Sequence, residues 1–211
     1  MDRNWRNVLY TIWDVVWITL DIVFSTARSK FSLTFQGCPF GLGLSTSGHC
    51  SFKARMAGSI QLGHHVRFLA AWRSNRVGLS GSVLLQTFGN GIIRIGDHSG
   101  GSAVVLSSRA KITVGQHVNL GGNVRIFDHD FHALDHRKRR MSMAEQDAFI
   151  RSEPVEICDD VFIGANATIL KGVRIGERTI VASGAVVFRG KYPPDSILSG
   201  NPAQVVVNAT V

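Results

Sequence analysis

Aliphatic residues recur at every sixth position through the second half of the chain. From Ile157 onward, the sequence divides into the blocks ICDDVF, IGANAT, ILKGVR, IGERTI, VASGAV and VFRGKY. Each block begins with Ile or Val, and the fifth residue of the first five blocks is Val, Ala or Thr. Residues two apart in a strand share a face, so the fifth residue of one block and the first of the next point inward together. The inward pairs predicted in this way are Val161 and Ile163, Ala167 and Ile169, Val173 and Ile175, Thr179 and Val181, and Ala185 and Val187.

Three six-residue faces make one triangular turn of about 18 residues, and stacked turns bury a continuous aliphatic core. Small residues and unusual dihedral angles are tolerated at the corners, where we place Gly164, Gly172, Gly176 and Gly184. The alternative is an antiparallel sheet, for which Asn90-Gly91 offers a hairpin turn. The stretch 157–192 lacks such turns, which favours the parallel coil there.

The six-residue spacing also appears upstream, at Val114, Leu120 and Ile126, and one residue out of phase at Ile95. Leu62 and Phe68 indicate a still earlier turn, and the glycine-rich stretch 35–58 predicts a frayed first turn. The spacing disappears in the segment 127–154. An excursion of this length from a regular repeat usually carries a function or is mobile.

The N-terminal segment is strongly apolar from residue 8 to residue 24 and is rich in tryptophan. Asp14 and Asp21 interrupt it, which argues against a signal peptide or a simple membrane span. We therefore predict an amphipathic helical unit in residues 1–34, followed by the coil domain in residues 35–211. The helix either caps the coil or lies on a membrane surface, and the sequence leaves both readings open.

The chain has a formal net charge of +8 and is 45% hydrophobic, which suits a fully packed domain. It contains no zinc-finger spacing, RNA-binding aromatic motif or long basic tract, so we expect no nucleic-acid partner. Its three cysteines form no CxxC pair. This favours reduced thiols and a cytoplasmic location, and we expect Cys158 to be a buried apolar residue.

Four segments resemble the hexapeptide-repeat acyltransferases, and within them the sugar O-acetyltransferase branch of maltose and galactoside acetyltransferases. The similarity covers residues 95–207. The segments are Asp128-His-Asp-Phe-His-Ala-Leu-Asp135, Pro154-Val-Glu-Ile-Cys-Asp-Asp-Val-Phe-Ile-Gly164, Ile169-Leu-Lys-Gly-Val-Arg-Ile-Gly176 and Tyr192-Pro-Pro-Asp-Ser-Ile-Leu-Ser-Gly-Asn-Pro-Ala203.

The resemblance implies a left-handed coil. The expected fold is therefore an all-β, left-handed parallel β-helix, with the N-terminal amphipathic helix and the excursion loop already predicted from the residues. The resemblance implies transfer of an acetyl group from acetyl-CoA to a sugar hydroxyl, in surface-polysaccharide or glycan-precursor synthesis. It also implies a homotrimer, with acyl-CoA in a groove between neighbouring coils and no metal ion. The acceptor, the acyl chain length and the source of the CoA phosphate contacts stay open.

The resemblance also assigns the catalytic residues. A sugar hydroxyl is too weakly acidic to ionise near neutral pH, so its proton must leave during attack, and histidine suits that task. His132 occupies the place of the family's base, with His129 as the alternative. Asp130, or equally Asp128 or Asp135, would orient the imidazole by accepting its second N–H.

For the cofactor, the resemblance points to the outer surface of the last turns. The positions that match are Ala165, Ser183, Gly184, Phe188, Arg189 and Pro202. Lys171, Arg189 and Lys191 are candidate partners for the cofactor's phosphate groups, and each could equally be an ordinary surface charge. Three departures from the family pattern stand out. Gln204 and Val207 replace basic residues, Ile150 replaces an acidic one, and Phe162 replaces a tryptophan.

Two other functions fit the same scaffold. A zinc enzyme similar to the γ-class carbonic anhydrases would use histidines such as His117, His132 and His136. A scaffold or membrane-docked subunit without catalytic activity would tolerate His132→Ala. Zinc content and CO2 hydration test the first, and the His132 variant tests the second.

Overall fold

The computed structural model describes residues 3–208 as one long helix followed by short strands. Helix α1 spans Arg3–Phe35, and α2 spans Met143–Gln146 between the 3₁₀ turns Lys138–Arg140 and Asp147–Phe149. The strands, in chain order, are β1 Ser45–Ser47, β2 Cys50–Lys53, β3 Ile60–Leu62, β4 Arg67–Leu69, β5 Val83–Thr87, β6 Ile92–Ile95, β7 Gly100–Ser102, β8 Val105–Ser108, β9 Lys111–Val114, β10 Asn119–Leu120, β11 Arg125–Phe127, β12 Val155–Ile157, β13 Phe162–Ile163, β14 Thr168–Ile169, β15 Val173–Ile175, β16 Ile180–Val181, β17 Val186–Val187, β18 Gly190–Tyr192, β19 Ser196–Gly200 and β20 Ala203–Asn208.

Every third strand joins the same sheet, so the chain winds into a three-sided β-helix. Sheet A has the order β1-β4-β7-β10-β13-β16-β19-β20, sheet B runs from β2 through β5, β8, β11 and β14 to β17, and sheet C runs from β3 to β18 in the same manner. All neighbours pair in parallel except β19 and β20. The antiparallel alternative is wrong, because β5 and β6, on either side of Asn90-Gly91, belong to different sheets. We name the three edges AB, BC and CA after the sheets that the chain connects there.

The core is the column of side chains inside the three sheets. All ten inward-facing residues predicted from the repeat are buried, which confirms the six-residue pattern. Thr179 is the one polar member, and its hydroxyl donates to the backbone carbonyl of Pro193 at 3.0 Å. The polar member of the column is therefore hydrogen-bonded, and the stacked turns share one aliphatic core.

Helix α1 covers the open end of the first turn through its C-terminal half. Leu33 is fully buried in the main core, and Ser29 Oγ lies 3.0 Å from Thr46 Oγ1 on β1. The expectation of a frayed first turn is wrong. The stretch 35–58 contains the regular strands β1 and β2, and these pair in parallel with β4 and β5.

The corners use non-glycine residues more than the sequence suggested. Gly172 and Gly184 do adopt positive φ, as corner positions require. On the CA edge, however, six successive corners place a non-glycine residue at φ between 54° and 58°, namely His65, His98, His117, Asp160, Arg178 and Asp195. Asn, Asp and His tolerate this left-handed region best among non-glycine residues.

Two loops leave the coil. Loop 128–154 replaces the corner between β11 and β12 on the BC edge, in the segment where the repeat disappears. Loop 70–82 replaces the corner between β4 and β5 on the AB edge and was not foreseen. Because β5 and β11 both belong to sheet B, the two loops flank the outer face of that sheet.

Candidate active site on the BC edge

Asp128 fixes the start of loop 128–154 to the coil. Its side chain is fully buried. Its carboxylate accepts hydrogen bonds from Ser108 Oγ at 2.6 Å and from the backbone N–H groups of Arg109 at 2.8 Å and Ala110 at 3.0 Å. A buried carboxylate needs such partners, because an unpaired one costs several kcal/mol. The loop therefore begins from a rigid point.

His129 is held by the same carboxylate. Its Nδ1 lies 3.0 Å from Asp128 Oδ1, and its ring is buried between Phe88 and Phe131, at centroid distances of 5.8 and 4.7 Å. A carboxylate on one imidazole nitrogen fixes the orientation of the ring. Asp128 therefore has the orienting role considered for it, but towards His129.

The base of the loop is closed by backbone pairing. The N–H of Asp130 donates to the carbonyl of Arg151 at 2.9 Å, and the N–H of Glu153 donates to the carbonyl of Asp128 at 2.8 Å. His129 forms an antiparallel bridge with Ser152 between these two bonds. The two ends of the loop thus leave the coil as a paired ribbon.

His132 lies just beyond this ribbon and is exposed. It lines a concavity of about 400 Å³ together with the other predicted catalytic residues. The lining comprises Phe127, His129, Asp130, Phe131, His132, Ala133, Leu134, Arg139 and Leu170. The structure therefore brings His132, His129 and Asp130 to one surface depression, beside the corner that follows β14.

The two other aspartates have different partners. Asp130 Oδ1 accepts a hydrogen bond from Lys171 Nζ at 2.5 Å. The other carboxylate oxygen, Oδ2, is buried and has no hydrogen-bond partner among residues 3–208. Asp135 is exposed and accepts from the backbone N–H groups of Arg137 and Lys138, which lowers the pKa of its carboxyl. Within the described chain, neither carboxylate bonds to His132.

The residues assigned to the cofactor fall on two edges of sheet B. Ala165, Ser183 and Gly184 lie on the AB edge, where the N–H of Gly184 donates to the carbonyl of Ala165 at 2.9 Å. The BC-edge group is Lys171, Phe188 and Arg189, whereas Pro202 is exposed in the turn between β19 and β20. The outer face of sheet B separates the two groups.

Two of the three cations considered for phosphate, Lys171 and Arg189, already have carboxylate partners on loop 128–154. Lys171 pairs with Asp130, and Arg189 Nε lies 3.1 Å from Glu153 Oε2. The two pairs lie on successive corners, since the N–H of Gly190 donates to the carbonyl of Gly172 at 3.2 Å. They connect the ribbon of the loop to the coil and leave less positive charge available for phosphate.

Loop 70–82 lies on the AB edge of sheet B, opposite loop 128–154 on the BC edge. The N–H and the hydroxyl of Ser80 bond to Asn123 Oδ1 at 2.8 and 3.0 Å. A Cβ at Gly122 would lie 3.0 Å from Val77 and 3.3 Å from Leu79, so the loop packs closely on this corner. The signal in the sequence was the missing six-residue spacing between Phe68 and Val83.

The histidines considered for a zinc site do not come together within one chain. His117 lies on the CA edge, where its ring stacks on His98 at 5.0 Å, and His98 stacks on His65 at 4.9 Å. His132 and His136 belong to loop 128–154 on the BC edge. Over the residues that the structure describes, no three His, Cys, Asp or Glu side chains are grouped to hold a metal ion.

The repeat matches a known family of bacterial proteins. Residues 154–189 match the family model "Bacterial transferase hexapeptide (six repeats)". The chain is similar to a 2,3,4,5-tetrahydropyridine-2,6-dicarboxylate N-acetyltransferase of Staphylococcus aureus, with 49% identity over 59 residues, 28% of this chain and 24% of the relative. The chain thus spans about a quarter of the length of the curated relatives it matches.

Solved structures resemble much more of the chain. A hexapeptide-repeat-containing acetyltransferase from Vibrio cholerae, complexed with acetyl coenzyme A, is 27% identical, with 88% of this chain and 78% of that one covered and a TM-score of 0.55. AntD, an N-acyltransferase from Bacillus cereus solved with dTDP-4-amino-4,6-dideoxyglucose and coenzyme A, is 19% identical, with 86% and 89% covered and a TM-score of 0.65. The likeness to AntD is one of fold.

Proposed function

We propose that this chain, whose residues 154–189 carry the bacterial transferase hexapeptide repeat, is an acetyltransferase that moves an acetyl group from acetyl-CoA to a sugar. The observation that carries the proposal is the concavity on the BC edge, where loop 128–154 presents His129, Asp130 and His132 beside Leu170 of the repeat. The Vibrio cholerae relative, which binds acetyl-CoA, supports the donor.

His132 is the base in this proposal. An acceptor hydroxyl must give up its proton as its oxygen attacks the thioester carbonyl, and a base acts only within hydrogen-bond reach of that proton. His132 is exposed at the rim of the concavity, whereas His129 is buried with Nδ1 occupied by Asp128. His129 and its two phenylalanine neighbours support the floor beneath the reacting groups.

The reaction then needs no covalent enzyme intermediate. The acceptor oxygen forms a bond to the carbonyl carbon while the imidazole takes its proton, giving a tetrahedral oxyanion. The C–S bond breaks as the oxyanion collapses, and the imidazolium returns the proton to the departing thiolate of CoA. The products are the acetyl ester and free CoA thiol.

The donor lies along sheet B in this proposal. Ala165, Ser183 and Gly184 are small residues on the AB edge, and they allow the backbone to approach a pantetheine chain closely. The outward-facing residues of sheet B on the last turns, Thr168 and Val186, are uncharged and half-buried. They offer a neutral surface between that edge and the concavity. Lys171 and Arg189 are paired with Asp130 and Glu153. To contact phosphate, each would have to break its ion pair or bind the carboxylate and the phosphate together.

The acceptor is a sugar hydroxyl on the resemblance, in a polysaccharide or glycan precursor. A sugar amine is the second candidate, because the Staphylococcus aureus relative is an N-acetyltransferase and AntD was solved with an amino sugar nucleotide. Both nucleophiles attack the same carbonyl and pass one proton to a base.

Assembly and location complete the proposal. The resemblance supports a left-handed coil and a homotrimer in which the concavity faces a neighbouring protomer. The three cysteines are free in the described chain, which is consistent with a reducing, cytoplasmic compartment.

Release of CoA thiol tests the function. Wild-type protein is incubated with acetyl-CoA and a panel of sugars, nucleotide sugars and amino sugars, and product mass identifies the acetylated atom. We expect His132→Ala to lower kcat by about 10²–10⁴-fold and His129→Ala to lower it less. His136→Ala is the matched control, since His136 is an exposed histidine of the same loop outside the concavity.

CoA release that persists in His132→Ala but disappears in His129→Ala would transfer the role of base to His129. Release that survives both substitutions, or no acetylation of any acceptor, would contradict the proposal.

A further inference from the structure

Helix α1 has a coil-facing side that is far more polar than the rest. Its buried residues are Asp14, Ser25, Ser29 and Leu33, at a spacing close to multiples of the helical repeat. Asp21, half-buried on the same side, accepts from Ser47 Oγ at 2.6 Å and from the N–H of Gly48 at 2.9 Å. This side of the helix therefore packs on the first turn of the coil through polar contacts.

The second acidic group of this side reaches loop 70–82. Asp14 pairs with Arg73 at 2.6 Å and with Arg76 at 2.5 Å, and the Asp14 side chain is only 11% exposed. These pairs join the helix to a loop about 60 residues further along the chain. Both carboxylates between residues 7 and 24 are thus satisfied by the coil domain.

The remaining surface of the helix is apolar and exposed. Between Asn7 and Phe24 the only charged residues are Asp14 and Asp21. A surface helix normally turns its polar side to water. Here Asn7, Thr11 and Thr19 are exposed among a larger set of exposed apolar residues, namely Trp5, Val8, Leu9, Tyr10, Ile12, Trp13, Val15, Val16, Trp17, Leu20, Val23 and Phe24. A contiguous apolar surface of this kind marks an interaction site.

Tryptophan placement indicates what covers this surface. The chain has four tryptophans. Trp5, Trp13 and Trp17 lie on α1, and Trp72 lies on loop 70–82, where the guanidinium of Arg73 lies 4.9 Å from its ring. All four are between 47% and 62% exposed. Tryptophan and tyrosine are the residues enriched at the boundary between lipid and water.

The charge around the surface fits anionic lipid. Arg28 and Lys30 are exposed on α1, and the two arginines paired with Asp14 exceed its single negative charge. Basic residues flanking an apolar helix face strengthen binding to anionic headgroups. A second copy of the chain would carry the same positive charges, and like charges would not favour its binding to this surface.

We propose that α1 lies along an anionic membrane surface, with its apolar side among the acyl chains and its acidic side on the coil, and that Trp72 is a second point of membrane contact. The segment Asn7–Phe35 is long and apolar enough to cross a membrane by length and composition. Crossing would pull Asp14 and Asp21 from their partners into hydrocarbon, which is costly. A helix lying at the interface keeps those contacts.

Intrinsic fluorescence tests the proposal, because all four tryptophans lie on the two elements assigned to the membrane, three on α1 and Trp72 on loop 70–82. The full-length protein is titrated with vesicles of phosphatidylcholine alone and of phosphatidylcholine with phosphatidylglycerol at 7:3. We expect a blue shift of emission and co-sedimentation with the anionic vesicles, weaker with the neutral ones. Leu9→Glu/Leu20→Glu, which retains all four tryptophans, should lower the partition coefficient by about tenfold or more.

Met143→Glu/Val206→Glu is the matched control, since it adds the same charge at exposed apolar positions away from α1. It should bind as the wild type does, and circular dichroism checks that both variants fold. A variant with Trp72 as its only tryptophan (W5F/W13F/W17F) should keep a blue shift. The loss of that shift would overturn the contact assigned to loop 70–82.

Two results would overturn the membrane contact itself. One is equal vesicle binding by the wild type and Leu9→Glu/Leu20→Glu. The other is absence of binding to the anionic vesicles. If the lipid-free protein then self-associates, and the same double substitution abolishes that association, the surface belongs to a second copy. Neither result depends on acetyltransferase activity.

Discussion

Phe68 lies opposite Gly101 in the parallel pairing of β4 with β7, and both positions face the core. Phe68 is fully buried, and it is the largest of the fully buried side chains. A Cβ at Gly101 would lie 2.6 Å from Leu120 Cβ and 2.7 Å from Val104 Cγ1. The turn that contains Gly101 therefore lacks a side chain where its neighbour carries the bulkiest one.

Gly101→Val should overpack this turn. We expect a loss of about 2–3 kcal/mol in the free energy of unfolding, because added methyl groups force displacement of a closely packed core. Chemical denaturation measures the loss. Gly81→Ala is the control, since nothing lies within 4 Å of a Cβ there, and a similar loss in both variants would contradict the packing argument.

Asp128→Asn should destabilise the coil at the start of loop 128–154. An amide presents its own N–H groups to donors that now point at a carboxylate, namely Ser108 and two backbone N–H groups. We expect a loss of about 3 kcal/mol in unfolding free energy, typical of a buried charge network left unsatisfied. Asp135→Asn, at an exposed turn of the same loop, should change stability little, and a smaller effect at Asp128 than at Asp135 would refute the anchoring role.

Lys171→Ala should loosen loop 128–154 without unfolding the coil. The substitution removes the ion-pair partner of Asp130 Oδ1. Because Asp130 Oδ2 is buried and has no hydrogen-bond partner in the described chain, the carboxylate then has no partner on either oxygen. Amide hydrogen exchange should rise in residues 128–153 and stay unchanged in the strands. Arg174→Ala is matched to it, because Arg174 pairs with Glu156 on the coil itself. Equal exchange in the two variants would show that the Lys171 pair does not hold the loop.

Cys50 should resist thiol reagents in the native protein. Burial raises the pKa of its thiol to about 12, so almost no thiolate exists at pH 8, and the thiolate is the reactive form. Burial also raises the pKa of Cys158, but this residue is only half-buried, against the expectation of a buried one. Mass spectrometry after brief alkylation should show Cys158 modified before Cys50. Equal rates should appear only in denaturant, and equal rates in the native state would contradict the burial of Cys50.

The six-residue pattern was readable where the inward positions are aliphatic. From Val161 to Val187 each turn repeats the same chemistry, so periodicity alone predicted the buried pairs. In the first turn the inward position is Thr46, whose hydroxyl bonds to Ser29 and whose N–H bonds to Thr26 on α1. The first turn was predicted to be frayed because its stretch is rich in glycine, and the helix that satisfies its polar inward residue is distant in sequence.

The long-range ion pairs could not be predicted from the sequence either, because their partners are distant along the chain. Lys171 and Arg189 were two of the three cations considered as phosphate partners, on their charge and their place in the last turns of the coil. Their carboxylate partners Asp130 and Glu153 lie on a loop whose path no local pattern specifies. The loop sequence did identify the histidines that meet at one concavity, but it could not show that Asp128 holds His129 and leaves His132 at the rim.

The two ends of the coil are closed in different ways. Leu33 of α1 fills the first turn, and β20 folds back antiparallel on β19 beyond the last full turn. Repeated strands with open ends add further copies and grow into filaments. Here a helix covers the first rung and a reversed strand pairs with the last strand of sheet A, and both disfavour the stacking of one coil on the end of another.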